Sequence, residues 1–132
     1  MASVVVDTHA LLWMLGDTLR GRSTGAADAV DRALDASAVH VSIGTFLDLR
    51  YLVDSSRLSA ELFDDARSIV DGEAFTVVPL DLPVVDKMAA IPREKVPDPF
   101  DRIIAATALK LDLRLVSADE DIQGAIGDRV IW

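Results

Sequence analysis

The 132-residue sequence has no cysteine, few aromatic residues and far fewer basic than acidic side chains. The lack of cysteine excludes disulfide scaffolds, thiolate zinc sites and cysteine nucleophiles, and it suits a reducing compartment. The sequence also lacks a basic amino-terminal leader and any uninterrupted run of about 18 apolar residues. We therefore expect a cytoplasmic protein that does not span a membrane.

Basic side chains number 13 against 22 acidic ones, so the formal net charge is −9. A protein that neutralises nucleic-acid phosphates usually has an excess of lysine and arginine. If the substrate of this chain is polyanionic, metal ions must separate its carboxylates from the phosphates, or a local basic patch must act against the global charge. The candidate phosphate contacts are Arg20, Arg22, Arg50, Arg93, Lys95 and Arg102.

Short β-branched strands alternate with amphipathic helices along the chain. With 51% hydrophobic residues, the sequence is sufficient for one domain over residues 1–132 with a core of its own. The alternation predicts an α/β fold, with a parallel sheet covered by helices on both sides. We predict strands over 4–6, 39–42, 75–78, 113–117 and 129–132, helices over 8–15, 26–36, 45–53, 59–70, 82–91, 99–111 and 119–122, and connections over 17–24 and 92–99.

Aspartates follow the predicted strands or open the neighbouring helices, at the sheet edge where the ligands of α/β proteins collect. Several carboxylates at one edge cannot all stay ionised without a cation, and Mg²⁺ and Mn²⁺ prefer oxygen ligands. One or two such ions orient a water and lower its pKa for attack on a phosphodiester. The candidate ligands are Asp7, Asp48, Asp98, Asp101 and Asp119.

Helix capping is the alternative interpretation of these acids. Aspartate is a preferred N-cap residue, and both Asp98 with Asp101 and Thr45 with Asp48 have the spacing of a capping box. Each acid alone fits a cap, whereas their recurrence after successive strands favours a shared site. Thr8 is likewise interpreted either as a cap or as a hydroxyl next to a metal-bound water or phosphate.

Other residues carry weaker signals. His9 and His40 have no second ligand at metal spacing, so we interpret them as structural. Trp13 and Trp132 are either base-stacking platforms or, as is more common, core residues. The sequence has no Gly-x-Ser-x-Gly elbow, Walker A segment or Gly-x-Gly-x-x-Gly, which argues against serine hydrolases and nucleotide-binding folds.

Four segments together resemble a known family: VVVDTHALLW from residue 4, DPFDRIIAATA from residue 98, LVSADE from residue 115, and the terminal VIW. Their order and spacing are similar to those of the PIN-domain ribonucleases of the VapC toxin type. The resemblance implies a three-layer α/β/α sandwich and a Mg²⁺- or Mn²⁺-dependent endoribonuclease. It also implies a homodimer and a neutralising antitoxin of the VapB type.

Within this resemblance, Asp7, Asp101 and Asp119 match the acids of the family, and Asp98 matches an additional acid of this branch. Related toxins have a glutamate where this sequence has Asp48. Aspartate is one methylene shorter, so its carboxylate lies closer to the backbone.

The implied catalytic set is therefore made of four acids, with two hydroxyls and one arginine in supporting positions. The hydroxyls would lie behind the metal or face the phosphate, and the arginine adjoins an acid as a phosphate contact or an ordinary ion-pair partner. The acids are Asp7, Asp48, Asp101 and Asp119, and the supporting residues are Thr8, Ser117 and Arg102.

Two other function classes remain open. One is an inactive PIN-like binding module that acts through its partner alone. The other is a phospho-acceptor signalling domain, which fits less well because Thr8 follows Asp7 where receivers have adjacent acids. The RNA target is not given by the sequence, and the apolar helices over 45–70 suit either an antitoxin groove or a dimer face.

Overall fold

A computed structural model describes residues 2–132 and contains one five-stranded parallel sheet. The strand order is β3-β2-β1-β4-β5. The predicted bounds of the first three strands are confirmed, and the last two strands are shorter than predicted. The strands are β1 (Val4–Val6), β2 (Val39–Ser42), β3 (Phe75–Val78), β4 (Arg114–Val116) and β5 (Val130–Ile131).

Helices connect all consecutive strands, as parallel pairing requires. They are α1 (Thr8–Leu15), α2 (Leu19–Arg22), α3 (Thr24–Asp35), α4 (Ile43–Asp54), α5 (Ala60–Ile69), α6 (Leu82–Met88), α7 (Pro99–Leu111) and α8 (Glu120–Ile126).

The two faces of the sheet bury two separate cores. Val4 and Val6 point to one face, where they pack with side chains of α1 to α5. Val5 points to the other face and packs with side chains of α6, α7 and α8. Because successive side chains of a strand alternate between faces, the all-valine strand β1 serves both cores. The predicted three-layer α/β/α arrangement is thereby confirmed.

Across residues 2–132, the structure has no helix with the length and apolar character needed to cross a bilayer.

The chain changes direction across the sheet between β1 and β4. From β1 it proceeds outward to β2 and β3, and it then returns to add β4 and β5 on the opposite side. In open α/β sheets the crevice at such a switch point is the usual ligand site. Asp7 and Ser117 directly follow these two strands, so both lie at this crevice.

Two local predictions were wrong. The predicted loop over 17–24 contains α2, a single helical turn held by Leu19, which is buried in the core despite the neighbouring glycine and charged residues. The predicted capping box at Thr45 does not form, because α4 begins two residues earlier. Its N-cap is Ser42, whose Oγ accepts a hydrogen bond from the Gly44 amide at 3.0 Å.

Gly44 lies in the first turn of α4, where its low helix propensity is unfavourable. A Cβ atom at this position would lie 2.9 Å from Cγ2 of Ile103 on α7. Glycine therefore allows α4 and α7 to approach closely. This contact brings the helix of Asp48 against the helix of Asp101.

Candidate active site

The five predicted acids line one cleft of about 200 Å³ at the carboxyl ends of the strands. They come from four different parts of the chain, which the sheet and the contact between α4 and α7 bring together. The cleft is lined by Asp7, Asp48, Asp98, Asp101 and Asp119, together with Thr8, His9, Tyr51, Leu52 and Arg57.

Asp7 is the most enclosed of the acids. It follows β1 directly, is only 5% exposed, and caps α1 by accepting a hydrogen bond from the Ala10 amide at 2.9 Å. Burial raises the pKa of Asp7, and interactions with the Ser117 side chain and the Ala10 amide oppose that rise. Asp7 is therefore both a helix cap and a carboxylate that gains from a nearby cation.

Asp101 lies among the other acids of the cleft. It lies in the first turn of α7. Burial, and then the negative charges of Asp98, Asp119 and Asp48, raise the pKa of Asp101 to about 8. At neutral pH and without a compensating cation, Asp101 is therefore mainly protonated.

Asp48 is half-buried on α4 and faces the same cleft. Burial raises the pKa of Asp48, an interaction with the Thr8 side chain lowers it, and the charge of Asp98 raises it further. The aspartate thus reaches the cleft although its side chain is shorter than glutamate.

Asp98 and Asp119 both line the cleft and cap helices. Oδ1 of Asp98 accepts hydrogen bonds from the amides of Phe100 and Asp101 at 2.8 and 3.1 Å. Oδ1 of Asp119 accepts one from the Ile122 amide at 3.0 Å. Capping and cleft lining are therefore compatible, because each cap bond uses one carboxylate oxygen.

The predicted supporting hydroxyls have different surroundings. Thr8 is the first residue of α1 rather than its cap, and its buried Oγ1 has no hydrogen-bond partner of standard geometry among residues 2–132. Ser117 is fully buried, and its Oγ accepts a hydrogen bond from the Asp119 amide at 3.1 Å. Ser117 therefore orients the backbone of Asp119 and lies next to Asp7.

Arg102 does not have the environment of a phosphate contact or of an ion pair with Asp101. Its Nε and Nη2 donate hydrogen bonds to the carbonyl oxygens of Ile91 and Met88, at 3.2 and 2.9 Å. The guanidinium thus satisfies the carboxyl end of α6 and links it to α7.

Three of the four tryptophans and histidines form a row of rings that begins at His9 in the cleft, whereas His40 lies apart on β2. The rings of His9 and Trp13 are 5.8 Å apart, and those of Trp13 and Trp132 are 5.3 Å apart. Trp13 packs against the core while Trp132 is partly exposed, so the core interpretation holds for Trp13. Nδ1 of His40 is buried without a partner in the described part of the chain, so its predicted structural role lacks the hydrogen bond expected for it.

The carboxylates of the cleft are suitable ligands for a divalent cation, although they do not lie close enough together to form a coordination shell. Among residues 2–132, no three carboxylates or imidazoles are close enough together to hold a metal ion. Carboxylate oxygens are the donors that Mg²⁺ and Mn²⁺ prefer. The raised pKa of Asp101 shows that the cleft concentrates more negative charge than its own residues neutralise, which a divalent cation would offset.

Tyr51 and Arg57 were missed by the sequence analysis, although both line the cleft. Tyr51 lies three residues after Asp48 on α4, and this helical spacing was a usable signal. Arg57 follows a sharp turn after α4, where Ser56 adopts a left-handed φ of 60°. No pattern in the sequence shows that this turn directs Arg57 toward the cleft.

The family profile described as PIN domain matches residues 4–126. The chain belongs to the PIN-domain family. PIN domains are generally nucleases and generally use divalent metals, so the family is one of hydrolases that act on nucleic acid. The five-stranded parallel sheet described above is the PIN-like architecture that the sequence resemblance implied.

A solved structure of similar fold is described as a toxin-antitoxin complex from Klebsiella pneumoniae. It has a TM-score of 0.58 and 20% sequence identity, and the match covers 98% of this chain and 97% of that chain. At this identity the likeness establishes the shared fold of the PIN domain. No curated protein matches this PIN domain in sequence.

Proposed function

We propose that residues 1–132 act as a single PIN-like domain that cleaves RNA, as a toxin-type endoribonuclease of the cytoplasm. The observation that supports this proposal is the convergence of five aspartates in one cleft at the switch point of the sheet. Membership of a nuclease family gives the reaction class, and the VapC-like motifs favour RNA as the substrate.

In this proposal Asp7, Asp48, Asp101 and Asp119 hold one or two Mg²⁺ or Mn²⁺ ions, with Asp98 as an additional ligand. A bound ion supplies positive charge for the phosphodiester and lowers the pKa of a water. Asp101 must release the proton that burial and its acidic neighbours retain at neutral pH.

The chain's own groups hold the acids for this role. Hydrogen bonds from backbone amides fix Asp7, Asp98 and Asp119 at helix starts. Ser117 holds the backbone of Asp119, and the side chain of Thr8 interacts with Asp48.

The test is cleavage of total cellular RNA by the purified chain in Mn²⁺ and in EDTA. Asp7→Asn and Asp101→Asn should abolish cleavage, because each removes a carboxylate of the cleft. Asp65→Asn is the matched control, because Asp65 is exposed on α5 and does not line the cleft. Cleavage that persists in EDTA or in both cleft variants contradicts the proposal.

A second candidate is a catalytically impaired binding module. The observation that favours it is that, among residues 2–132, no three of the cleft carboxylates lie close enough together to hold a metal ion, together with the short side chain of Asp48. The distinguishing variant is Asp48→Glu. Activity only in this variant supports impairment, whereas equal or greater activity in the wild type supports the nuclease.

We propose two protein partners, an antitoxin of the VapB type and a second copy of the chain. The likeness to a toxin-antitoxin complex supports the first. Exposed apolar side chains near β3 and α6 support the second, because they lack cover in the single chain. Sedimentation with Leu82→Glu should give a monomer if this region forms the dimer interface. The exposed residues near β3 and α6 are Val77, Leu80, Leu82 and Val85.

A further inference from the structure

An exposed aromatic ring forms one wall of the acidic cleft. Tyr51 is 53% exposed and lines the cleft on the same helix as Asp48. Its ring lies 5.9 Å from that of Phe100, at an interplanar angle of 50°. Phe100 lies on α7 between Asp98 and Asp101, so the aromatic wall adjoins the acids directly.

Arg57 is the arginine that lines this cleft, and it lies beside the same ring. Its guanidinium carbon is 5.4 Å from the centroid of Tyr51. This distance is near the outer limit of a cation–π contact, so the ring holds the guanidinium only weakly. Within residues 2–132 Arg57 forms no ion pair, although the negative charge of Asp48 lies close enough for Arg57 to affect its pKa.

A short chain of hydrogen bonds keeps Arg57 in this position. The Ser55 hydroxyl donates to the Tyr51 carbonyl at 2.8 Å, and Arg57 Nε donates to the Ser55 Oγ at 3.2 Å. The left-handed Ser56 turns the chain so that the Arg57 amide bonds to the Leu52 carbonyl at 2.8 Å. Among residues 2–132 no group accepts a hydrogen bond from the two terminal nitrogens of the guanidinium, so both can donate to an anion.

We propose that Tyr51 stacks a nucleobase of single-stranded RNA beside the acidic cleft and that Arg57 binds an adjoining phosphate. The proposal rests on the proposed ribonuclease function and adds the residues that hold the strand. An unstacked base presents a face to an aromatic ring, and single strands are commonly held by stacking together with arginine contacts. The chain has a net charge of −9, and the acids of the cleft offer RNA neither positive charge nor an aromatic surface. Arg57 supplies the charge, and Tyr51 supplies the surface.

The test is the affinity for a fluorescein-labelled single-stranded RNA of mixed sequence, measured by fluorescence anisotropy, with the integrity of the probe checked afterwards on a gel. Tyr51→Leu should weaken binding by about 5- to 100-fold, the range for losing one stacked base. Tyr51→Phe should bind like the wild type. An abasic oligomer as probe should remove the difference between Tyr51→Leu and the wild type, which a purely structural role of Tyr51 would not do.

Arg57→Gln should weaken binding by about 10-fold through loss of a charge-assisted phosphate contact. It should also reduce the slope of log affinity against log salt by about 0.7, the value for one phosphate of a single strand. Arg50, a candidate phosphate contact by sequence, does not line the cleft and instead stacks on Phe63 at 4.1 Å, so the structure removes it from the candidates and Arg50→Gln is the matched control. Both variants change the net charge equally, so the control should bind within about twofold of the wild type.

The outcomes separate this inference from the proposed function. Folded Tyr51→Leu and Arg57→Gln that bind RNA like the wild type overturn the inference while leaving the nuclease proposal in place. A weakening that is equal in Arg57→Gln and Arg50→Gln also overturns it, because it reports only net charge. A wild-type chain that neither binds nor cleaves RNA contradicts both.

Discussion

Replacing Asp101 by asparagine should stabilise the metal-free protein at neutral pH. Asparagine has the same shape as aspartate but no charge, and the Asp101 side chain has no hydrogen bond to a described residue that would be lost. The carboxylate is surrounded by Asp98, Asp119 and Asp48, whose charges oppose its ionisation. Folding of the wild type at neutral pH therefore requires Asp101 to take up a proton that the unfolded chain has lost, and asparagine removes this cost while keeping the helix start intact.

The expected size follows from the pKa of Asp101. The ordinary value is 3.8 and the folded chain raises the pKa to about 8. At pH 7, about three pKa units above the ordinary value, this shift lowers the free energy of unfolding of the wild type by at most about 4 kcal/mol, at about 1.4 kcal/mol for each pKa unit. Because the carboxyl group is partly exposed, solvent screening reduces the expected gain to about 1–2 kcal/mol. For a chain of this length the melting temperature should rise by about 3–8 °C.

The sign of the pH dependence provides a sharper check. A raised pKa means that the folded chain retains a proton that the unfolded chain has lost. The contribution of Asp101 is therefore fully present below about pH 4 and is lost as the pH rises through about 8. The melting-temperature difference between Asp101→Asn and the wild type should be small at pH 5 and largest above pH 8.

Thermal unfolding followed by circular dichroism in EDTA is the assay, with Asp65→Asn as the control. The control removes an exposed charge on α5 and should change the melting temperature little at any pH. A destabilised Asp101→Asn at every pH, or a difference that does not grow between pH 5 and pH 8, would refute the electrostatic reasoning.

Three further substitutions test the structure around the cleft. Gly44→Ala should destabilise by about 1–3 kcal/mol in urea unfolding, because the new Cβ would lie 2.9 Å from Ile103; an unchanged midpoint would contradict the close packing. Arg102→Gln should lose about 1–2 kcal/mol through its two carbonyl hydrogen bonds, without changing the salt dependence of RNA binding; a reduced slope would mean that Arg102 binds phosphate. Ser56→Gly should stabilise by about 0.5–1 kcal/mol by relieving a left-handed backbone at φ 60°, and a lower melting temperature would show that the turn tolerates serine without strain.

The sequence predicted those elements whose signals are local. The valine run of β1 and the strand before Pro79 begin and end at the predicted residues. The caps at Ser59 and Asp98 were predicted because serine and aspartate bond to amides two or three residues ahead. Such interactions depend little on the rest of the fold.

Predictions failed where distant residues decide the local structure. Leu19 forms a helical turn because the core covers it, although its neighbours are typical of a loop. Helix α4 includes Gly44 in its first turn, despite the low helix propensity of glycine, because α7 leaves no space for a Cβ there. The sequence also left open whether the acids are caps or cleft residues. In the structure Asp7 and Asp119 are both, so the two interpretations do not exclude each other.

Three of the acids both cap helices and line the cleft, and this restricts which substitutions the domain can accept during evolution. Positions 7, 98 and 119 must keep a side chain that accepts a backbone hydrogen bond, whether or not the cleft remains active. Position 101 caps no helix, so only the proposed function of the cleft requires a carboxylate there. Descendants that lose activity should therefore carry asparagine, serine or threonine at the three capping positions and a wider range of residues at position 101.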